Sequence, residues 1–133
     1  MQGSHIALIA TATTSETGVK VERISAMVDC ARLINPELAR QQVESGIIFG
    51  LAQALGSSTD YESGMPTARR LRDIDLPVLS DIPEIEIEFV RSDAEPGGAS
   101  EIGVPAVAPA VANALFSAAG VRLRELPLLS KGL

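Results

Sequence analysis

The stretch VKVERISAMVDCARLINPELARQQVESGIIFGLAQALG, residues 19–56, does most to decide the fold. Its first half carries apolar residues in two alternating sets, and the phase slips near Arg23, which predicts a strand with a bulge. Asn35, Pro36 and Glu37 then supply an N-cap, a first-turn proline and an acid at the positive end of a helix. Apolar residues follow at helical spacing until Gly56, a suitable C-cap. We predict a strand followed by a helix.

The segments on either side complete a two-layer arrangement. Apolar or alternating patterns predict three further strands, over residues 6–13, 84–90 and 121–126. The Ala-rich stretch after Pro105 predicts a second helix, which Gly120 ends. Residues 57–82 lack sustained periodicity and are predicted to be a long loop, which is often functional or packs on a partner. The order β-β-α-β-α-β predicts an α+β fold, a mixed sheet with helices on one face.

Composition and termini limit the possible functions. The net charge of −6 argues against nucleic-acid binding, which needs a basic face, and no apolar run is long enough to cross a bilayer. We interpret residues 1–5 as a cloning remnant and 6–133 as one domain, so His5 receives no metal-binding role and no metal ligand is assigned. Arg69, Arg70 and Arg72 are interpreted as a solvated loop, and the single cysteine, Cys30, as a buried small residue.

Two glycine features can carry chemistry. Gly46 and Gly50 lie four residues apart inside the predicted helix, where they allow close approach of either a neighbouring strand or a ligand. The second feature is a glycine-flanked acid, residues 97–101, in which backbone amides could face a ligand and Glu101 could act as a general base. From the residues alone, a solvated or helix-capping Glu101 is the commoner case.

Three segments resemble the xanthine dehydrogenase and aldehyde oxidase family in consistent order. Residues 28–36, VDCARLINP, resemble its V-D-C-G-x-x-(I/V)-N-P segment, and residues 42–46, QVESG, resemble its Q-x-E-G-G. Residues 95–101, EPGGASE, with the tail over 105–128, resemble its P-x-G-V-G-E loop and closing helix. The nearest branch is the isoquinoline 1-oxidoreductase β-subunit type. The chain is therefore expected to be the C-terminal part of a molybdopterin-binding large subunit.

The resemblance implies a cofactor, a reaction and partners. The cofactor would be a molybdenum-pterin of the molybdopterin cytosine dinucleotide type, and the reaction the hydroxylation of an aldehyde or N-heterocycle with oxygen from water. By position, Glu101 would be the general base, Gln42 would hydrogen-bond the pterin, and Gly98, Ala99 and Ser100 would lie close to the cofactor. The partners would be the rest of the large subunit and an iron–sulfur subunit or domain.

Four positions depart from the family pattern. Ser100 and Ser45 replace glycines of the loop and of the glutamine motif, Ala31 replaces the glycine after Cys30, and Ile102 stands where proline is common. We expect each change to narrow the same pocket. The chain is also several times shorter than the family subunit and cannot enclose a molybdopterin alone.

Three functional hypotheses remain. The first is a piece of a molybdenum hydroxylase that binds no cofactor and is inactive in isolation. The second is a stand-alone, non-catalytic module used in subunit association, and the third, least favoured, is a small enzyme using Glu101 without molybdenum. A mean hydropathy of +0.22 with few aromatics favours the first, with self-association through former interfaces. The sequence does not decide between bacterial cytoplasm and periplasm, nor does it name the substrate.

Overall fold

A computed structural model describes residues 3–15 and 18–129. A three-stranded sheet is formed by β1 (His5–Ser15), β2 (Gly18–Asp29) and β5 (Glu84–Phe89), in the spatial order β1-β2-β5. The helices are α1 (Pro36–Leu55) and α2 (Val104–Ala119). β1 pairs antiparallel with β2, and β2 pairs parallel with β5, because α1 lies between β2 and β5 in the chain. The predicted α+β class with a mixed sheet is confirmed.

The bulge predicted near Arg23 is present on β2. Thr11 pairs with Arg23 and the next residue, Ala12, pairs with Val21, so Glu22 is the extra residue. The strand changes phase there, which keeps Val21 and Ile24 both buried. The slip in the apolar pattern is therefore the signature of a bulge that keeps one face of β2 toward the core.

The core lies between one face of the sheet and the two helices. The side chains of β5 alternate, with Glu84, Glu86 and Glu88 exposed and Ile87 buried. The helices meet the apolar face with side chains that are fully buried: Val43, Ile47, Leu51, Val107, Val111 and Leu115. Both helices thus cover the same face, as predicted, and aliphatic residues supply the core of an almost aromatic-free chain.

The predicted caps of α1 are formed. The side chain of Asn35 accepts a hydrogen bond from the Leu38 amide at 3.0 Å, and Pro36 occupies the first turn. At the other end the Gly56 amide donates to the Ala52 carbonyl. In α2, Pro109 lies in the second turn, so the helix carries an interior residue without an amide proton.

The final strand predicted over residues 121–126 is wrong, because this segment has no strand in the structure. The Arg122 guanidinium stacks 3.7 Å from the Phe116 ring centroid and donates to the Asn113 side chain at 2.8 Å. Farther on, the Leu128 amide donates to the Ala54 carbonyl at 2.7 Å. These contacts tie the segment to the helices instead of to the sheet.

The long loop predicted over 57–82 contains a small hairpin, β3 (Tyr61–Glu62) and β4 (Met65–Pro66), and two short 3-10 turns. The hairpin turn holds Ser63 and Gly64 at positive φ, as a tight two-residue turn requires. Several large apolar side chains here are exposed: Tyr61, Met65, Leu71, Val78 and Leu79. We call residues 58–74 the arm.

Candidate functional site

A groove of about 370 Å³ runs between the start of α1 and the loop that precedes α2. Gln42 lines it from the helix, and Ala99 and Ser100 line it from the loop. The remaining lining residues come from the turn between β2 and α1, the first turn of α1 and the beginning of the loop: Cys30, Arg32, Leu33, Ile34, Asn35, Leu38, Ala39, Pro96 and Gly97. Segments far apart in the sequence therefore form one site.

The loop over residues 97–103 is held at both ends. At its start, the Gly97 amide donates to the Cys30 carbonyl at 3.0 Å, which ties the loop to the end of β2. At its end, Gly103 lies so close to α1 that an added Cβ would stand 2.9 Å from the Ile47 nitrogen and 3.0 Å from the Val43 oxygen. Only glycine fits there without movement of the helix or the loop.

Close packing of the same loop against α1 also explains the glycines of this helix. A Cβ on Gly46 would lie 3.1 Å from the Ser100 carbonyl oxygen, and one on Gly50 would lie 2.6 Å from the Val104 oxygen. The neighbour is thus the loop and the first turn of α2, and neither of the two partners considered from the sequence, a strand or a ligand, occupies this space. Because Gln42 is one turn before Gly46, its side chain lies beside the loop.

Glu101 lies at the edge of this site. Its side chain is exposed and accepts a hydrogen bond from the Ser100 hydroxyl at 2.6 Å. The next residue, Ile102, is buried in the core, and the Glu101 carbonyl accepts from the Val104 amide at 3.1 Å. The backbone around Glu101 is therefore anchored while its carboxylate points into solvent.

The structure brings some of the predicted site residues together and leaves others apart. Gln42, Ala99 and Ser100 share the groove, whereas Gly98 and Glu101 are not among its lining residues. The four residues that depart from the family pattern also lie in different parts of the structure. Ser100 does add a side chain to the groove, but Ser45 is exposed elsewhere on α1, and Ala31 lies outside the groove. The expected narrowing of one pocket by all four changes is wrong for Ala31, Ser45 and the core residue Ile102.

Cys30 lines the groove and is buried, as predicted. Burial raises the pKa of the Cys30 thiol, and the negative charge of Asp29 raises it further. The thiol is therefore protonated at neutral pH and is a poor nucleophile. Its contribution to the site is a small apolar surface.

The family is decided by the sequence match. Residues 1–83 match the family described as "Molybdopterin cofactor-binding domain". The chain belongs to the molybdopterin cofactor-binding domain family. The matched part contains Gln42 and the β2–α1 turn, and the loop with Glu101 lies beyond it. The expected molybdopterin-binding family is thereby confirmed.

Relatives of this molybdopterin-domain chain are larger oxidoreductases. It is 36% identical over 110 residues to a membrane-bound aldehyde dehydrogenase [pyrroloquinoline-quinone] of Gluconacetobacter polyoxogenes, covering 83% of this chain and 14% of that protein. It is 30% identical over 127 residues to isoquinoline 1-oxidoreductase subunit beta of Brevundimonas diminuta, covering 94% and 16%. The chain thus spans about a seventh of the length of such relatives.

Two solved oxidoreductase structures are similar to this chain. Quinoline 2-oxidoreductase from Pseudomonas putida 86 matches with a TM-score of 0.62 at 29% identity, over 77% of this chain and 14% of that one. Aldehyde oxidoreductase from Desulfovibrio gigas matches with a TM-score of 0.80 over 94% of this chain and 14% of that one. Its 24% identity supports the fold alone.

Arg32 is one groove residue of this molybdopterin-domain chain that the sequence did not single out. It is the charged side chain among the described residues that line the groove. Its position two residues after Cys30, inside the segment that resembles the family, was the available signal. Among the described residues, no group of His, Cys, Asp or Glu could hold a metal ion, and no helix could span a membrane.

Proposed function

We propose that the chain is the part of a molybdenum hydroxylase large subunit that holds one edge of the molybdenum-pterin cofactor and supplies the general base. The observation that carries this proposal is the groove in which Gln42, Ala99 and Ser100 meet. The family match supports the cofactor class, and of the similar enzymes above that are at least 29% identical, one is named for an aldehyde and two for N-heterocycles. The substrate class we propose is an aldehyde or N-heterocycle.

The groove fits an edge of such a cofactor in chemical terms. The Gln42 carboxamide offers both a donor and an acceptor, which matches the paired polar atoms along the edge of a pterin. The apolar side chains of the β2–α1 turn give a wall for a flat ring. The guanidinium of Arg32 is suited to a phosphate group of the cofactor. The groove is open, so it can cover one side of the cofactor only.

Glu101 is proposed as the general base. When bound, the cofactor supplies the oxygen-transfer and two-electron chemistry. Glu101 follows directly after Ser100, which lines the groove. The burial of Ile102 fixes the backbone beside Glu101. It would accept a proton from the oxygen nucleophile, and the Ser100 hydroxyl would orient it. Because Glu101 is exposed here, the rest of the subunit must exclude water around it.

The remaining parts of the proposal concern what lies outside the chain. We propose that the cofactor is of the cytosine dinucleotide type, that electrons leave through an iron–sulfur subunit or domain, and that the isolated chain binds no cofactor. The chain spans about a seventh of its relatives' length, which supports the need for the remainder. One relative is named for pyrroloquinoline quinone, so a test of the isolated chain measures both cofactors.

The experiment replaces the matching stretch of the Brevundimonas diminuta isoquinoline 1-oxidoreductase β subunit by this chain. Glu101→Gln is expected to lower kcat by about 10²–10⁴-fold while molybdenum and pterin contents stay unchanged, because only proton transfer is lost. Gln42→Ala is expected to lower the pterin content. Glu88→Gln, at an exposed acid of β5 that is not among the groove residues, is the matched control and leaves both readouts unchanged.

The alternative function is a non-catalytic module that keeps the fold for subunit association. The exposure of Glu101 and its position at the edge of the groove favour this alternative. Full activity of the Glu101→Gln enzyme would support it and would remove the general-base role. Stoichiometric molybdenum, or pyrroloquinoline quinone, in the purified 133-residue chain would contradict the proposed need for the remaining subunit.

A further inference from the structure

The two edges of the sheet differ in chemistry. The edge strand β5 carries Glu84, Glu86 and Glu88, and the carbonyl of Ile87 accepts a hydrogen bond from the Arg40 guanidinium. The opposite edge strand, β1, is 11 residues long and contains no Asp, Glu, Lys, Arg or Pro. Charges and prolines on an edge strand prevent pairing with another strand, so the β1 edge lacks the protection that a permanently exposed edge needs.

The space beside β1 has the shape of a strand site. A groove of about 530 Å³ is lined by residues 8–12 of β1 and by one face of α2. That face carries short side chains: Ala110, Asn113, Ala114, Ser117 and Ala118. A strand added along residues 8–12 would hydrogen-bond the outward amides and carbonyls of this part of β1, and the inward side chains of that strand would fill the groove under α2.

A second copy of this chain is the less favourable occupant. Helix α2 packs over β1, while α1 packs against β5 and α2. Pairing of two β1 strands about a twofold axis would bring two α2 helices to the same face of the joined sheet, where packed helices need about 8–10 Å between their axes. An extended strand without its own helix meets no such requirement.

We propose that the groove between β1 and α2 receives an extended strand from the remainder of the large subunit, which makes the sheet four-stranded. This inference rests on the proposed function only in taking the chain as part of such a subunit. The remainder is the occupant because the chain spans about a seventh of its relatives' length. An uncharged edge also suits a permanent contact better than a transient one.

The test uses the isotopically labelled 133-residue chain and NMR amide shifts. The probes are overlapping synthetic peptides of about 10 residues that span the Brevundimonas diminuta isoquinoline 1-oxidoreductase β subunit outside its matching stretch. At least one peptide is expected to shift the amides of residues 8–12 and of the groove face of α2. Ala118→Trp fills the groove from an exposed helix position and should weaken that binding at least about tenfold.

The control is Ala119→Trp, the same change at the next exposed residue, which does not line the groove and should keep the affinity within about twofold. Absence of binding by every peptide, or equal loss in both variants, would overturn the proposal. Concentration-dependent shifts at residues 8–12 without peptide would replace the proposed occupant by a second copy. Peptide binding needs no cofactor, so it stands or fails separately from the Glu101 and molybdenum experiments.

Discussion

Ala31 holds the least favourable backbone conformation near the groove. Its φ is 62°, in the left-handed region, and its amide donates to the Asp29 side chain at 3.1 Å. A Cβ in this region costs about 1–2 kcal/mol, and glycine avoids that cost. The glycine of the resembled V-D-C-G segment therefore corresponds to a conformational need of the turn between β2 and α1, and not to space in the groove.

Replacement of Ala31 by glycine is expected to raise the free energy of unfolding by about 0.5–1 kcal/mol, because relief of the strain exceeds the entropy gained by the unfolded chain. Urea denaturation followed by circular dichroism measures the change. Ala39→Gly, inside α1, is the control and should lower the same free energy by about 1 kcal/mol. Destabilisation by both substitutions would show that residue 31 is not strained.

Cys30 should make stability depend on pH in the alkaline range. Burial raises the pKa of its thiol in the folded protein, so the unfolded chain loses that proton first. The stability contributed is complete below the unfolded pKa, near pH 9, and is lost as the pH rises toward the folded pKa. Comparison with Cys30→Ala by urea denaturation at several pH values cancels the other titrating groups.

Above about pH 9, the free energy of unfolding of the parent protein is expected to fall relative to that of Cys30→Ala. A difference that stays constant from neutral pH to about pH 10 would mean that the folded thiol titrates as in water.

For single residues, the sequence predicted which segments pack together at the site better than it predicted which residues line the groove. The spacing of Gly46 and Gly50 predicted close approach at this face of α1, and the loop does lie there. The outward direction of Glu101 agrees with the solvated case that the residues alone favour, and the burial of Ile102 in the core accompanies it. Whether Glu101 and Gln42 act as the family resemblance implies stays a prediction.

Helix α1 contacts the first turn of α2 through Gly50, and this contact is expected to tolerate no added carbon. Gly50→Ala would place a Cβ 2.6 Å from the Val104 oxygen, a backbone atom that cannot swing away. The clash should cost about 1–3 kcal/mol, more than the roughly 1 kcal/mol that alanine returns in helix propensity. Thermal unfolding should show a lowered Tm.

Ser45→Ala is the control for this contact, since Ser45 is exposed on α1 and its replacement should change stability by less than about 0.5 kcal/mol. A Gly50→Ala protein as stable as the parent would mean that the helices separate easily.

Among the elements, prediction succeeded where the local pattern and the tertiary contacts agreed. The Asn35 cap and the Arg23 phase slip each have one local interpretation, and both predictions are confirmed. Residues 121–126 alternate like a strand, but they remain next to α2 through Arg122. Alternation alone does not reveal whether a free sheet edge is within reach.

For the whole molecule, local stability should be uneven. The arm packs on itself through β3 and β4, and the Arg69 and Arg70 amides bond only a short distance away, to the Asp73 carboxylate. Such a segment opens locally at little cost in free energy. Arg69, Arg70 and Arg72 should therefore be the first sites of trypsin cleavage, ahead of Arg40 in α1 or Arg23 in β2.

Mass spectrometry of early tryptic products measures this order, and the first cleavages are expected between residues 69 and 73. Loss of the arm should leave the circular dichroism of the sheet and helices nearly unchanged for a time. First cleavage at Arg40 would indicate that α1 opens before the arm does.

The anchoring of the 97–103 loop has a consequence for how a ligand would be received. With Gly97 bonded to the Cys30 carbonyl and Gly103 seated on α1, the ends of the segment are fixed before any ligand arrives. Little motional freedom is then left for binding to remove, so the entropic penalty of capture at this segment should be small. The domain would therefore meet the proposed cofactor with its loop already in place, and side-chain rotation would be the main adjustment.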